Sequence, residues 1–495
     1  MSKIIIQNGN MCELDLPLKF AQKLYNEFAI RHPNAFYLRT RQRGMQNWDG
    51  KIHYITKTGQ FKIGLLPKVY DMCIEMGIKP KVVDMRQPLP KVSKVVTKIG
   101  KYKLRPEQEK AVKAVINNTI GGKPFHIGVL DYTVNAGKTL IMSSLYLSYK
   151  KQLKTLLITN DSDWLNQARE EFKQYLPGED ITFVQGKVLN WSNFTIGMVQ
   201  SISRNMRFYQ KELSQIDMVL IDEADQGGSR QYQNVITRLF NTRIRIGLSG
   251  TIYMSKLAKD KVKNMNLECF FGKVLAEFKL RDSIKKGYST KTVVKMVPGK
   301  PWYGNWESDC ISYKEIYDDS ITNSYTAWLM AYSRLRWNIN QGRYPALVVC
   351  KHIAHCENLY KFFKKKLGDA YNIAYVHVNT SSKLRQQIMK DFREGKIDIL
   401  VSTTIIARGK NFPKLRYLLN AASMDSQEKS IQFLGRLVRT DKSKKKVYLD
   451  DLHYPGNYLD RHGKHRKQYY QRQELKVILL DKLWKKHPNH SLIQS

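Results

Sequence analysis

Thr133-Val134-Asn135-Ala136-Gly137-Lys138-Thr139 decides how this chain is read. An apolar run, Phe125 to Leu130, leads into it, and a helix-like run, Leu140 to Leu147, follows. A strand, a tight turn ending in Gly-Lys-Thr and a helix make a phosphate-binding loop. Backbone N–H groups of such a turn point at phosphate oxygens, and the helix start adds the positive end of its dipole. Lys138 is placed to reach the β- and γ-phosphates, and the Thr139 hydroxyl to sit on Mg²⁺. The first glycine of the usual pattern is missing: Tyr132 holds its place.

A second stretch supports the first. Asp217 to Asp222 reads as a buried strand ending in Asp222-Glu223-Ala224-Asp225. Open α/β sheets gather ligand chemistry at the C-terminal ends of their strands. Carboxylates at a strand end are often no more than a solvated turn. Here they fall in the same α/β unit as the phosphate loop, which favours a site.

Composition sets the bounds. A chain of 495 residues holds about three domains. At 42% hydrophobic residues it can build real cores. The formal net charge of +40 calls for a polyanionic partner, nucleic acid first. An anionic membrane surface is the rival polyanion; no apolar run approaches the ~20 residues that span a bilayer, and nucleic acid with no membrane is the expected partner. The start, Met1 to Asn8, is too short in its apolar part for a secretory signal. The six cysteines are scattered and read as reduced cytosolic thiols. Cys350, His352, His355 and Cys356 are metal-ligand types at close spacing, but a strand-to-helix turn would struggle to bring all four to one point.

Residues 1–95 read as a separate N-terminal unit. Arg39, Arg41 and Arg43 share a stretch with Phe36, Tyr37 and Trp48, a mixture suited to backbone contacts and base stacking. Asp49-Gly50 between Trp48 and Ile52-His53-Tyr54 predicts a hairpin. Gln87 to Lys94 reads as a linker. Strands are expected at 125–130, 154–159, 194–199, 217–222 and 244–248, then at 346–350, 372–378, 397–403, 417–422 and 446–450. This alternation with helical patterns predicts parallel sheets. Arg105-Pro106-Glu107-Gln108 is a helix start whose Gln108 has the donor and acceptor an adenine edge needs, with Arg105 able to lie flat on the base. Ser249-Gly250-Thr251 closes the last strand of the first series. Arg436 and Arg439, three apart, are expected on one helical face, able to bracket a developing phosphoryl charge. Arg461 to Arg472 is a basic run holding Tyr469 and Tyr470, either a solvated helix face or a DNA-binding extension.

Six motifs in this order resemble the superfamily two helicases: Arg105 to Gln108, Gly137-Lys138-Thr139, Asp222 to Asp225, Ser249 to Thr251, Ala407-Arg408-Gly409, and Gln432-x-x-Gly435-Arg436-x-x-Arg439. The tetrapeptide Asp-Glu-Ala-Asp suggests the DEAD-box RNA helicases. Two other motifs depart from that group: Asn160 to Gln167 replaces Pro-Thr-Arg-Glu-Leu, and Gln432 to Arg439 replaces the group's closing arginine motif. Asn47-Trp48-Asp49-Gly50-Lys51-Ile52, followed by Gly64-Leu65-Leu66, resembles the accessory domain of the UvsW-type DNA repair and recombination helicases of tailed phages. Asn411 stands where many relatives carry Asp.

The resemblance implies an α/β fold of two tandem RecA-like parallel-sheet lobes with a small N-terminal α+β accessory domain. The implied boundaries are 1–95, 96–278, 279–452 and a basic extension, 453–495. It implies ATP and Mg²⁺ as cofactors, with ATP in the cleft between the lobes. Lys138, Asp222, Glu223, Arg436 and Arg439 are the implied catalytic residues. Arg105, Gln108, Thr133, Asn135, Ala136, Gly137, Lys138, Thr139 and Gly409 are implied to bind the nucleotide, and Thr139 and Asp222 to hold Mg²⁺. Arg41, Arg43, Trp48, Gln200, Ser201, Thr403 and Lys410 are implied nucleic-acid contacts. Asp225, Ser249, Thr251 and Gln432 are implied to couple the two activities. The implied activity is a DNA-dependent ATPase and 3′-to-5′ helicase that remodels branched or forked DNA. The implied setting is the cytoplasm, that of the host for a phage protein, with a monomer as the favoured state. An RNA-remodelling ATPase and a non-enzymatic nucleic-acid binder are the alternatives.

Overall fold

The computed structural model describes residues 2–42, 44–149, 152–253, 260–299, 312–407 and 412–480. It forms two compact units. One holds the chain up to Tyr132 and Ala136–Phe278; the other runs from Lys279 and also takes in Thr133–Asn135.

The first unit is built on an eight-stranded sheet. Its order is Val188–Leu189, Ile181–Gln185, Phe194–Met198, Thr155–Thr159, Met218–Asp222, Ile244–Ser249, His126–Tyr132 and Val274–Phe278. Every pairing is parallel except that of Val188–Leu189. The central strands are buried along their whole length, as expected when helices cover both faces. The five strands expected here are present within a residue or two of their predicted limits. Ile181–Gln185, Val188–Leu189 and Val274–Phe278 went unrecognised, because each carries exposed or half-buried positions that break an apolar run.

The N-terminal segment forms a small sheet, ordered Gln60–Lys62, Met11–Asp15, Lys3–Ile6 and Lys81–Asp84. The expectation that it stands apart is corrected. Ile4, Phe61, Leu65 and Val69 belong to one hydrophobic cluster with Ile127, Val219, Leu267 and Phe271. Gly64 lies so close to the helix Lys261–Phe271 that a Cβ there would meet the Glu268 carbonyl oxygen at 2.1 Å. Arg245, fully buried on a central strand, donates to the Gly9 carbonyl (2.6 Å), to Asn10 Oδ1 (2.7 Å) and to the Phe270 carbonyl (3.1 Å). The hairpin expected at Asp49-Gly50 is also corrected. The turn exists, with Gly50 at φ +78° and Lys51 N–H donating to Asp49 Oδ1. Lys51–His53, however, pairs with Ala29–Arg31 across the helix Ala35–Arg41. Trp48 is not in a strand; its indole N–H donates to the Lys51 carbonyl.

The second unit carries a seven-stranded sheet, all parallel among the described residues. Its order is Ile373–Val376, Ile399–Thr403, Ala346–Cys350, Tyr417–Asn420, Lys446–His453, Lys291–Pro298 and Val477–Leu479. Lys291–Pro298 and Val477–Leu479 were not foreseen. Val477–Leu479 shows that chain beyond 453 belongs to this sheet. The helix Asn457–Arg472 belongs to the same unit, with Tyr469 and Tyr470 in its core, so neither ring can stack on a base. Residues 481–495 lie outside the described residues.

The anchor of that helix is polar. Arg466 is fully buried and donates to Asp451 Oδ1 (2.9 Å), the Met424 carbonyl (3.0 Å) and the Leu452 carbonyl (2.9 Å). Tyr470 and Asn420 donate to the same carboxylate at 2.7 and 2.8 Å. Removing one partner of a buried ion pair strands the other charge, which costs about 3–5 kcal/mol. Arg466→Ala is expected to lower the stability of the second unit by that amount in urea unfolding, and a shift under 1 kcal/mol would contradict this account.

Candidate nucleotide site

The phosphate loop is set by the strand His126–Tyr132 and the helix Lys138–Ser148. Tyr132, in the place of the usual glycine, is fully buried, and its hydroxyl donates to the Glu107 carbonyl at 2.7 Å. The turn needs two left-handed residues, Asn135 at φ +65° and Gly137 at φ +72°. Such a turn at a helix start aims consecutive N–H groups into one concavity. Gly137 is required twice over: a Cβ there would also lie 2.3 Å from Gln108 Nε2.

Gln108 is 2% exposed. Its amide N–H donates to the Ala136 carbonyl at 2.8 Å, and its Oε1 accepts from Arg105 N–H at 2.8 Å. Gln108 therefore braces the loop and caps its own helix, where an open base-reading edge was expected. Arg105 Nε lies 3.2 Å from Glu107 Oε1.

The acidic cluster sits at the end of the neighbouring strands. Lys138 Nζ is 3.1 Å from Asp222 Oδ1. Desolvation alone would push the Lys138 ammonium down, but the Asp222 and Glu223 carboxylates outweigh it and hold it above its ordinary value. Glu223 has a left-handed backbone, φ +53°, a strained state for a non-glycine residue. Desolvation first, then the Asp222 and Asp225 charges, push its carboxyl up to about 8 against the pull of Lys138. The Tyr232 ring is buried beside this cluster, and its hydroxyl is pushed up by desolvation, Glu223, Asp222 and Asp225.

The expected coupling residues of the first unit meet. Ser249 Oγ donates to Asp225 Oδ1 at 2.7 Å, lies 3.1 Å from Thr251 Oγ1 and accepts from Thr251 N–H at 3.1 Å. Gln200 and Ser201 lie on the short helix Val199–Arg204. Ser201 Oγ accepts from Gly186 N–H, and Gln200 Nε2 donates to the Asn160 carbonyl at 3.4 Å. Arg41 is exposed, its guanidinium 4.9 Å from the Tyr37 ring centre.

In the second unit Thr403 ends the strand Ile399–Thr403 and is 6% exposed. Gln432 and Arg436 lie on the helix Gln427–Leu437. That helix ends at Leu437, so Arg439 follows its end and the expected shared helical face is corrected. Arg43, Arg408, Gly409, Lys410 and Asn411 lie outside the described residues.

Two residues escaped the sequence reading. Asn160 follows the strand Thr155–Thr159, and Gln226 follows Asp225. Gln226 Nε2 donates to Glu223 Oε2 at 3.0 Å, and Asn160 Nδ2 donates to Gln226 Oε1. Position was the available signal: Asn160 stands at the C-terminal end of a parallel strand, where ligand chemistry collects.

The donor set fits a nucleotide triphosphate with a hard cation. The loop offers N–H groups with no side chain in the way at Gly137, a lysine is at hand, and three carboxylates stand close to it. Residues 101–254 match the family described as "Type III restriction enzyme, res subunit", and residues 331–441 match "Helicase conserved C-terminal domain". The chain belongs to the superfamily two helicases. Among individual relatives it resembles the "ATP-dependent DNA helicase uvsW" of Enterobacteria phage T4, at 21% identity over 478 residues, covering 88% of this chain and 90% of that one. It is 24% identical over 377 residues to the helicase IRC3 of Saccharomyces cerevisiae, covering 70% of this chain and about half (51%) of that protein's length. The fold is shared with S. cerevisiae Dbp5 bound to RNA and ADP BeF3, with a TM-score of 0.52 and 14% identity over 78% of this chain and 92% of that one. Both sheets are those of RecA-like lobes.

Gly137→Ala is expected to lower stability by about 1–2 kcal/mol through its left-handed backbone and to displace Gln108. The rise in melting temperature on adding a non-hydrolysable ATP analogue should disappear in this variant. A rise equal to that of the wild type would overturn the reading of the loop.

Proposed function

We propose that the protein is an ATP-dependent DNA helicase and translocase that remodels branched DNA, by fork regression, Holliday junction branch migration and annealing, in replication, repair and recombination. The observation that carries this reading is the similarity to uvsW, which covers 88% of this chain and 90% of that one. The charge of +40 supports a polyanionic substrate. The reading includes 3′-to-5′ polarity, action as a monomer, and a cytoplasmic setting, that of the host for a phage protein.

The residues would act as follows. The N–H groups of Ala136 to Thr139 receive the triphosphate, and Lys138 moves from Asp222 to the β- and γ-phosphates. Asp222 and Thr139 would hold Mg²⁺, which when bound neutralises phosphate charge. Glu223 polarises the attacking water. Arg436 and Arg439 stabilise the charge on the transferring phosphoryl group. Arg105, Thr133, Asn135 and Gly409 complete the nucleotide contacts, and Gln108 supports them by bracing the loop at the Ala136 carbonyl. Gln200, Ser201, Thr403 and Lys410, with Arg41, Arg43 and Trp48 of the N-terminal segment, grip the nucleic acid, mainly through phosphates. Asp225, Ser249, Thr251 and Gln432 link the two events.

The rival reading, an RNA-remodelling ATPase, is favoured by the RNA-bound structural neighbour. ATP turnover measured side by side on a fork, a four-way junction, single-stranded DNA and RNA separates the two. The branched-DNA reading expects the fork or junction to stimulate most, and greater stimulation by RNA refutes it. Lys138→Ala is expected to abolish DNA-stimulated turnover while DNA binding survives. Unchanged turnover in that variant would remove the site assignment.

A further inference from the structure

We propose that Gln226 and Asn160 form a hydrogen-bonded latch on Glu223, which a nucleic-acid strand opens by taking the side-chain amide of Asn160. The inference rests on the helicase reading above and names the residues through which the substrate would be sensed.

Two side-chain bonds run in one line, and a third holds the backbone at its start. Gln200 Nε2 donates to the Asn160 main-chain carbonyl at 3.4 Å. Asn160 Nδ2 donates to Gln226 Oε1. Gln226 Nε2 donates to Glu223 Oε2 at 3.0 Å. With Gln226 Oε1 occupied by Asn160, the Gln226 amide group faces the Glu223 carboxylate. Glu223 therefore has one oxygen committed to a neighbour. A donor held on that oxygen draws off its electron density and fixes the direction of the carboxylate, which weakens it as a general base for a water that must lie within hydrogen-bond reach.

The far end of the line is unfinished. Asn160 Oδ1 and Gln200 Oε1 are closed off from solvent and find no hydrogen-bond partner. Buried polar atoms left in this way are costly and call for an explanation. Both belong to primary amides, which can present either an oxygen or an NH₂ group by a half-turn. A phosphate oxygen that takes the NH₂ of Asn160 takes it away from Gln226 Oε1, and so from the line ending at Glu223. Engagement of the strand and retention of the latch are then mutually exclusive, the condition for two sites to be coupled. Gln226 and Asn160 are positioning residues in this scheme; neither is required to touch ATP.

Structural glue alone predicts a different behaviour. It would make Gln226→Ala less stable and less active at every step. The latch predicts a split. In Gln226→Ala the kcat of ATP hydrolysis without nucleic acid should rise roughly threefold to tenfold, with KM for ATP unchanged. The stimulated kcat should stay near that of the wild type, so the stimulation ratio falls by the same factor. Asn160→Ala leaves Gln226 in place, gives a second route should Gln226→Ala fold poorly, and should move both rates in the same direction. The double variant should add little, since both residues serve one line. A wild type that no DNA or RNA stimulates would defeat the helicase reading and the latch with it. A stimulated wild type whose stimulation ratio is kept in both variants would defeat the latch alone.

Discussion

Three parallel strands in register hold the nucleotide site together. Asp131 lies level with Ser249, and Asp222 with Leu248, so His126–Tyr132, Ile244–Ser249 and Met218–Asp222 end at nearly the same height. That common edge lets Lys138, one turn beyond the first strand, reach Asp222 at the end of the third. It also lets Ser249 meet Asp225. The strands are buried on both faces, so a slip of one residue would turn core side chains around and is strongly disfavoured. The chemistry is thus positioned by hydrophobic burial that takes no part in it.

Around that edge the chain accepts local strain. Asn135, Gly137 and Glu223 all take left-handed backbones within two turns of the sheet. Only one of the three is glycine. Asparagine visits this region at modest cost, but a glutamate there must be held by its surroundings. Gln226 and Lys138 are among the groups that interact with Glu223 here. A side chain under such constraint has a narrow range of positions, which suits a group that must be either withheld or presented.

How much of this was legible in the sequence depended on period and on locality. Fully buried strands such as Ala346–Cys350 read clearly because every residue is apolar or small. Strands at sheet margins did not: Lys291–Pro298 alternates exposed or half-buried positions with core residues, and Val477–Leu479 is only three residues long. The phosphate loop and acidic cluster were legible because their chemistry is carried by adjacent residues. The Asn160–Gln226 contact joins positions on two separate strand ends, and nothing in either local stretch announces the other. The basic run near Tyr470 misled, because its periodicity hides a buried face whose anchor, Arg466, is itself a charge. The end of the helix at Leu437 was likewise unmarked, for neither Gly nor Pro follows it.

The buried Arg245 guanidinium has a consequence for descent. It sits four residues before Ser249 and donates to the carbonyls of Gly9 and Phe270, both buried residues. The small N-terminal sheet is therefore no transplantable cassette. A motor lacking an arginine at that point of its core would receive the graft with the Gly9 carbonyl and the Asn10 side-chain oxygen deprived of this donor. Exchange of accessory domains between such enzymes should have been possible only among lineages that already carried a cation at this buried position.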